Sequence, residues 1–168
     1  YCTPGTFLAS PKLSNLNSVQ SIKGYASFKI KNLLIEPYPV PHDAREPSQF
    51  TITCAQDKLG ILTDCGSITP HMERQLTGCS ALFIEFNHDE EMLKRSQYPL
   101  TLKERILGRY GHISNSDAAQ LLGRIKGPQL QYVVAAHLSK ENNDPNLVRS
   151  LIANSLGWNE EHIDIATK

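Results

Sequence analysis

The chain is 168 residues long and 40% apolar, enough for one ordinary globular core, so a single unit spanning residues 1–168 is expected. Lysine plus arginine equal aspartate plus glutamate at 17 each, and the charge balance gives no sign of a nucleic-acid-binding tail or a polybasic membrane-binding surface. No apolar run approaches the roughly 20 residues that span a bilayer, no signal-peptide pattern is present, and four scattered cysteines without a CxxC pair exclude a zinc ribbon or thioredoxin motif. The expectation is a soluble, cytoplasmic chain without a membrane partner, its thiols reduced and mostly buried.

The chain opens on Tyr1 and runs at once into Thr3-Pro4-Gly5-Thr6, read as an irregular turn with further residues expected upstream. The first half then reads as a β-meander. Candidate strands are Gly24 to Ile30, Leu33 to Val40, Gln49 to Ala55 and Gly60 to Thr63, with Asn32, the polar loop Pro41 to Pro47 and a hairpin turn at Gln56-Asp57-Lys58 between them.

Beyond Asp64 helix and strand alternate. A short helix is expected over Pro70 to Leu76, a strand over Ala81 to Phe86, and charged helical stretches through Lys94 and from Leu102 to Arg109. Asn115 or Ser116 caps a helix through Ile125, with Ala118, Leu121, Leu122 and Ile125 at helical spacing against the sheet. Leu130 to Ala136 reads as a fully buried strand, Asp144 to Leu156 as a capped helix with Pro145 at its first position, and His162 to Ala166 as a final strand. The fold class is α/β, a sheet layered with helices.

Three polar groups fall where strands end: His42, Asp64 and His137. Two imidazoles and a carboxylate at strand ends suit zinc or a similar divalent ion, while each histidine also suits a hydrogen-bonded strand terminus and Asp64 a plain turn.

The surrounding strings are more specific. Val40-Pro41-His42-Asp43-Ala44, Leu62-Thr63-Asp64-Cys65-Gly66, Ile84-Glu85-Phe86-Asn87-His88-Asp89, Gly111-His112-Ile113-Ser114-Asn115 and Ala136-His137-Leu138-Ser139-Lys140-Glu141-Asn142-Asn143 occur in that order. Together they resemble the YycJ/WalJ-like branch of the metallo-β-lactamase superfamily, related to ribonuclease Z, over a span from about Thr3 to the C-terminus. The resemblance implies the αββα fold of that superfamily, of which this chain would be the C-terminal portion. It implies a metal-dependent hydrolase, a phosphodiesterase or nuclease of 5′ to 3′ DNA exonuclease type acting through a hydroxide shared by two divalent ions, Zn or Mn.

On that resemblance His42, Asp64 and His137 match metal ligands, with Asp64 bridging the two ions. His112 and Glu85 match a proton-relay pair, His112 as the acid and Glu85 as its orienter; the plain alternative is a helix cap and a solvated strand-end charge. The HxHxDH signature that supplies most ligands in the superfamily is absent from this chain. Two further readings therefore stay open: a thioester or lactone hydrolase of the same fold, or a non-catalytic fragment that binds a partner. The implied substrate is nucleic acid, DNA favoured over RNA, and the implied partner is a second copy or the missing N-terminal part.

The other polar residues divide less clearly. His88 stands open between a hydrogen bond behind the ligands and a structural role, while Asp89, Glu90 and Glu91 read as helix N-terminal charges. His71 and His162 read as surface residues. Lys140 and Asn142 approach a phosphate or solvate a loop, and Lys94, Arg95, Lys103, Arg105 and Arg109 line a nucleic-acid groove or form a solvated helix face.

Overall fold

The computed structural model describes residues 1–166, the side chain of Ser14 excepted. Strands β1 (Phe28–Ile30) and β2 (Leu33–Pro39) form the first hairpin, turning through Lys31 and Asn32, with Lys31 left-handed at φ 54°. The strand expected from Gly24 is shorter, because Gly24 and Tyr25 turn and leave the Tyr25 ring in solvent. Strands β3 (Ser48–Cys54) and β4 (Asp57–Leu62) pair Cys54 with Asp57, so the turn falls at Ala55 and Gln56 and not at residues 56–58. Ala55, at φ 53°, takes the left-handed position that the two-residue turn needs.

After β4 the pairing changes. Strands β5 (Ala81–Glu85), β6 (Tyr132–Ala136) and β7 (Ile163–Ile165) add in parallel, giving one seven-stranded sheet in sequential order, antiparallel from β1 to β4 and parallel from β4 to β7. Residues 130 and 131 precede β6, and Tyr132 is 53% exposed, so this strand is not buried throughout its expected length. His162 closes a 3-10 turn (Glu160–His162) ahead of β7.

Each parallel step requires a crossover, and the capping chemistry sets where its helices begin. Helix α1 (Pro4–Ala9) replaces the expected irregular turn, because Thr3 Oγ1 accepts from the Thr6 amide and Pro4 has no amide to lose. Helix α2 (Pro70–Leu76) lies between β4 and β5. Helices α3 (Glu90–Arg95), α4 (Leu100–Leu107) and α5 (Asn115–Ile125) lie between β5 and β6, and α6 (Pro145–Leu156) precedes β7. Thr69 caps α2, Asp89 caps α3 and Asp144 caps α6; Ser114, one residue before the expected caps, caps α5.

Met72 and Leu76 of α2, Ala118, Leu121, Leu122 and Ile125 of α5, and Val148, Ile152 and Leu156 of α6 bury against Tyr38, Leu62, Leu82, Ile84, Val133 and Ala135 of the sheet. Full burial of each large aliphatic side chain stabilises by roughly 1.5–3 kcal/mol, and this layer holds the helices against the sheet. Alternate residues face the other side. Ile61, Phe83 and Val134 are in register across β4, β5 and β6 and are only partly buried. Among the described residues no helix is long and apolar enough to cross a membrane. All four cysteines are free, Cys65 and Cys79 buried and Cys2 and Cys54 partly so.

Candidate metal centre

Strand direction explains why residues distant in sequence meet. β2 and β4 are each antiparallel to β3, and β5 to β7 are parallel to β4, so β2, β4, β5 and β6 all end on one edge of the sheet. His42 follows β2, Asp64 follows β4, Glu85 ends β5 and His137 follows β6. Register keeps them level, since Leu62 pairs with Ile84 and Ile84 with Ala135.

His112 comes from the loop between α4 and α5, which backbone hydrogen bonds pull to the same edge. Asp43 N donates to Tyr110 O at 3.0 Å, His112 N to Ile106 O at 2.9 Å and Asn115 N to His88 O at 2.8 Å. The approach is close enough to require glycine: a Cβ on Gly66 would lie 2.4 Å from the Gly111 amide nitrogen and 2.5 Å from Arg109 O.

Glu85 organises the centre. Its carboxylate is fully buried; Oε1 accepts from His112 Nδ1 at 2.7 Å and His137 Nδ1 at 2.8 Å, and Oε2 accepts from the Cys65 amide at 2.9 Å. Burial alone would raise its pKa, but the hydrogen bonds from His112, His137 and the Cys65 amide outweigh it and hold the carboxyl below the usual range. The shared acceptor also fixes both rings as Nδ1–H donors, which places the lone pair of each neutral imidazole on Nε2.

Those rings turn toward Asp64. His137 Nε2 lies 3.5 Å and His42 Nε2 3.8 Å from Asp64 Oδ1. The His112 ring is 5.3 Å from that of His42 and 5.1 Å from that of His137. Potential donor atoms of Asp64, His112 and His137 lie within 4.8 Å of one another. His42 stands beside this group, its Nδ1 3.1 Å from Gly111 O. A carboxylate with imidazoles whose far nitrogens are anchored by a carboxylate or carbonyl is a donor set that fits a divalent transition ion. Asp64 and His137 both adopt left-handed backbone, at φ 51° and 59°, a region that aspartate and histidine enter more readily than most non-glycine residues.

His137 is further fixed by a buried amide network that the sequence reading missed. Asn115 and Asn143 pair reciprocally, at 2.8 Å and 3.0 Å, and Asn143 Nδ2 also donates to Phe86 O at 2.7 Å and Asn87 O at 3.0 Å. Asn87 Nδ2 donates to His137 O at 3.0 Å, while Ser139 N donates back to Asn87 O at 2.8 Å. The string Glu141-Asn142-Asn143-Asp144 just before a helix was the available signal.

The readings of Asn142 and His71 need correction, and the residues left open find their places. Asn142 does not face a phosphate: it is buried, its amide groups reach Ser139 Oγ, and its carbonyl accepts from Asp89 N. His71 is not a surface residue, for its Nε2 is shielded from solvent and its ring lies 5.6 Å from that of Tyr25. His88 is buried, with Nδ1 3.2 Å from Asn87 Oδ1, and desolvation lowers its pKa. Lys94 and Arg95 pair with Glu91, and Lys103 caps the carbonyls of Lys94 and Ser96, as on a solvated face. Arg105 instead bonds Asp43 at 2.6 Å and holds that carboxyl below its usual range. Burial pushes the Cys65 thiol up to about 12.

Residues 5–137 match the Beta-lactamase superfamily domain, and the chain belongs to that superfamily. It is similar to the exodeoxyribonuclease YycJ of Bacillus anthracis, 33% identical over 139 residues, which is 83% of this chain and 51% of that protein. It is also similar to the exodeoxyribonuclease WalJ of Streptococcus pneumoniae D39, 35% identical over 122 residues, 73% of this chain and 45% of that protein. The chain thus spans about half the length of these curated relatives. Among solved structures, zinc-bound PqqB from Methylobacterium extorquens superposes with a TM-score of 0.68 at 16% identity, over all of this chain and 59% of that one. The metallo-β-lactamase fold protein YhfI from Bacillus subtilis gives 0.64 at 12% identity, over 88% and 52%. Sheet and helices have the metallo-β-lactamase fold.

Proposed function

We propose that this chain carries part of the active centre of a metal-dependent phosphodiesterase acting on DNA from a 5′ end. The observation that supports it best is the placement of Glu85, one carboxylate bound to two imidazoles beside Asp64. His42, Asp64 and His137 are the residues that would hold divalent ions, zinc or manganese. Such ions supply Lewis-acid polarisation of a phosphoryl oxygen and activation of water.

The chain's own residues do the rest. Glu85 holds His112 as an Nδ1–H donor and so orients the ring as the group that would hand a proton to the departing alkoxide. Asp43 and residues 137–140 line the hollow beside His112 in which the phosphodiester would lie. A thioester or lactone hydrolase of the same fold requires no such proton donor, and the hydrogen-bonded pair inside the cleft favours the phosphodiesterase. The half-buried row Ile61, Phe83 and Val134 opposite the helical layer is the surface on which a second copy or the remaining half of a full-length relative would pack.

The test is hydrolysis of 5′-phosphorylated DNA and RNA oligonucleotides with zinc or manganese. It is run on the 168-residue chain and on the chain joined to the part of the Bacillus anthracis relative that it does not match. Release of nucleotides from the 5′ end of DNA is expected from the joined protein. Full activity in a His112→Ala variant would discard the assigned acid, and hydrolysis of thioesters without hydrolysis of oligonucleotides would replace the reading.

A further inference from the structure

A hollow of about 420 Å³ opens beside His112 and His137, between α4 and the 138–141 segment. Its volume falls in the roughly 300–1,000 Å³ range of small-ligand sites, room for one nucleotide unit and not for a duplex. One wall is Tyr98, Leu102 and Ile106; Lys140 and Glu141, and Arg105 in its ion pair with Asp43, also line the hollow.

Helix α4 is unusual in this fold. It buries none of its residues, whereas α2, α5 and α6 each bury an apolar stripe in the core. Leu102 and Ile106, one turn apart on α4, therefore present their apolar face to the hollow with Tyr98 just ahead of the helix. The helix is held by polar ties instead: Arg105 to Asp43, Lys103 to the carbonyls of Lys94 and Ser96, and the Ile106 carbonyl to His112 N. A partly buried apolar and aromatic wall next to a cluster of histidines, with the Lys140 ammonium among the lining groups, fits a ligand that is flat and apolar at one end and anionic at the other.

We infer that this hollow binds the base of a single terminal nucleotide, stacked against Tyr98 and packed on Leu102 and Ile106, with Lys140 on its phosphate. The inference rests on the phosphodiesterase reading and names the part of the substrate the hollow holds. Stacking accepts any base, so the pocket selects a strand end without selecting sequence. The 5′ end of a strand and a free nucleoside 5′-monophosphate present the same chemistry.

The test is binding to the 168-residue chain, read from amide resonances in nitrogen–proton spectra, with deoxyadenosine 5′-monophosphate, deoxyribose 5-phosphate, inorganic phosphate and a 5′-phosphorylated trinucleotide as probes. The mononucleotide is expected to shift Ile106, Gly111 and Leu138 to Glu141, and to bind roughly tenfold or more tightly than the sugar phosphate. The trinucleotide shifts the same amides if strand ends are accepted, and others if only the free nucleotide fits. Tyr98→Ala should erase the advantage of the base and Tyr98→Phe keep it; Lys140→Ala should weaken nucleotide and sugar phosphate alike. Leu102→Lys, on a helix that buries nothing, is the second variant and should block the nucleotide. Equal binding of nucleotide and sugar phosphate, no binding, or shifts confined elsewhere would overturn the inference. Nucleotide binding here without any DNA hydrolysis by the joined protein would sink the nuclease reading and leave the pocket standing. Hydrolysis that is indifferent to a terminal abasic site would do the reverse.

Discussion

Replacing Asn143 by alanine isolates the amide network that holds His137 in place. The side chain donates to Phe86 O, Asn87 O and Asn115 Oδ1 and accepts from Asn115 Nδ2 and Asp144 N. Asn87 O keeps the Ser139 amide, and Asp144 is exposed, so two buried groups lose partners outright: the Phe86 carbonyl and the Asn115 amide. At about 1–3 kcal/mol for each orphaned buried group, the loss is about 2–6 kcal/mol. In a chain of this length that lowers the melting temperature by roughly 4–24 °C. The assay is urea and thermal unfolding followed by circular dichroism. Because Asn115 and Asn143 serve each other, the Asn115→Ala, Asn143→Ala double variant should lose less than the sum of the singles, by about 0.5 kcal/mol or more. A single variant within about 0.5 kcal/mol of the parent, the range of an ordinary surface substitution, or strict additivity, would refute the network as the clamp.

Other substitutions test other parts of the frame. Gly66→Ala sets a Cβ against backbone at Gly111 and Arg109, which cannot yield as a side chain does; zinc affinity measured by chelator competition should fall together with stability. In Gly60→Ala the new Cβ meets Leu76, Leu82 and Cys79 side-chain atoms at 2.7–2.9 Å, and overpacking should cost about 1–3 kcal/mol in urea unfolding without changing metal affinity. Burial raises the Cys79 thiol to about 11, so its contribution is complete below the unfolded value near 8.5 and is lost as pH climbs toward 11. Unfolding free energy should therefore fall above about pH 8.5 by about 1.4 kcal/mol per pH unit for each of the two buried thiols, Cys79 and Cys65, and Cys79→Ala should remove one share of that slope. In the native state a thiol reagent should label Cys2 and Cys54 and spare Cys65 and Cys79 until the chain unfolds.

What could be read from the letters was whatever a local pattern encodes. Period-two alternation and turn residues located β2 to β5, and the Asp144-Pro145 pair fixed the start of α6 to the residue. Turn placement failed where a non-glycine residue accepts left-handed backbone, as Ala55 does, because nothing in the side chain announces it. The common edge of the strands after which His42, Asp64 and His137 fall depends on β2 running with β4, a fact of pairing direction and not of local sequence. The α4 wall was invisible for a different reason: Leu102 and Ile106 have the spacing of a core stripe, and only the fold reveals that no core lies beneath them. The buried asparagines read as loop polarity, since their partners lie up to 57 residues away.

The role of His112 is the point on which geometry and resemblance pull apart. The resemblance makes it a proton donor, yet Glu85 Oε1 holds His112 and His137 alike, at 2.7 and 2.8 Å, and His112 falls with Asp64 and His137 in the tightest donor group. Zinc affinity by competition separates the two roles. For a proton donor, His112→Ala should leave affinity within about threefold of the parent while His137→Ala loses at least tenfold; Glu85→Gln, which disturbs the ring that does ligate, should lose about 10–100-fold. The His42→Ala variant is expected to follow His137→Ala, because its Nε2 also faces Asp64. An equal loss in the His112 and His137 variants would make His112 a ligand. The proton for the leaving group would then have to come from another group on the rim of the hollow.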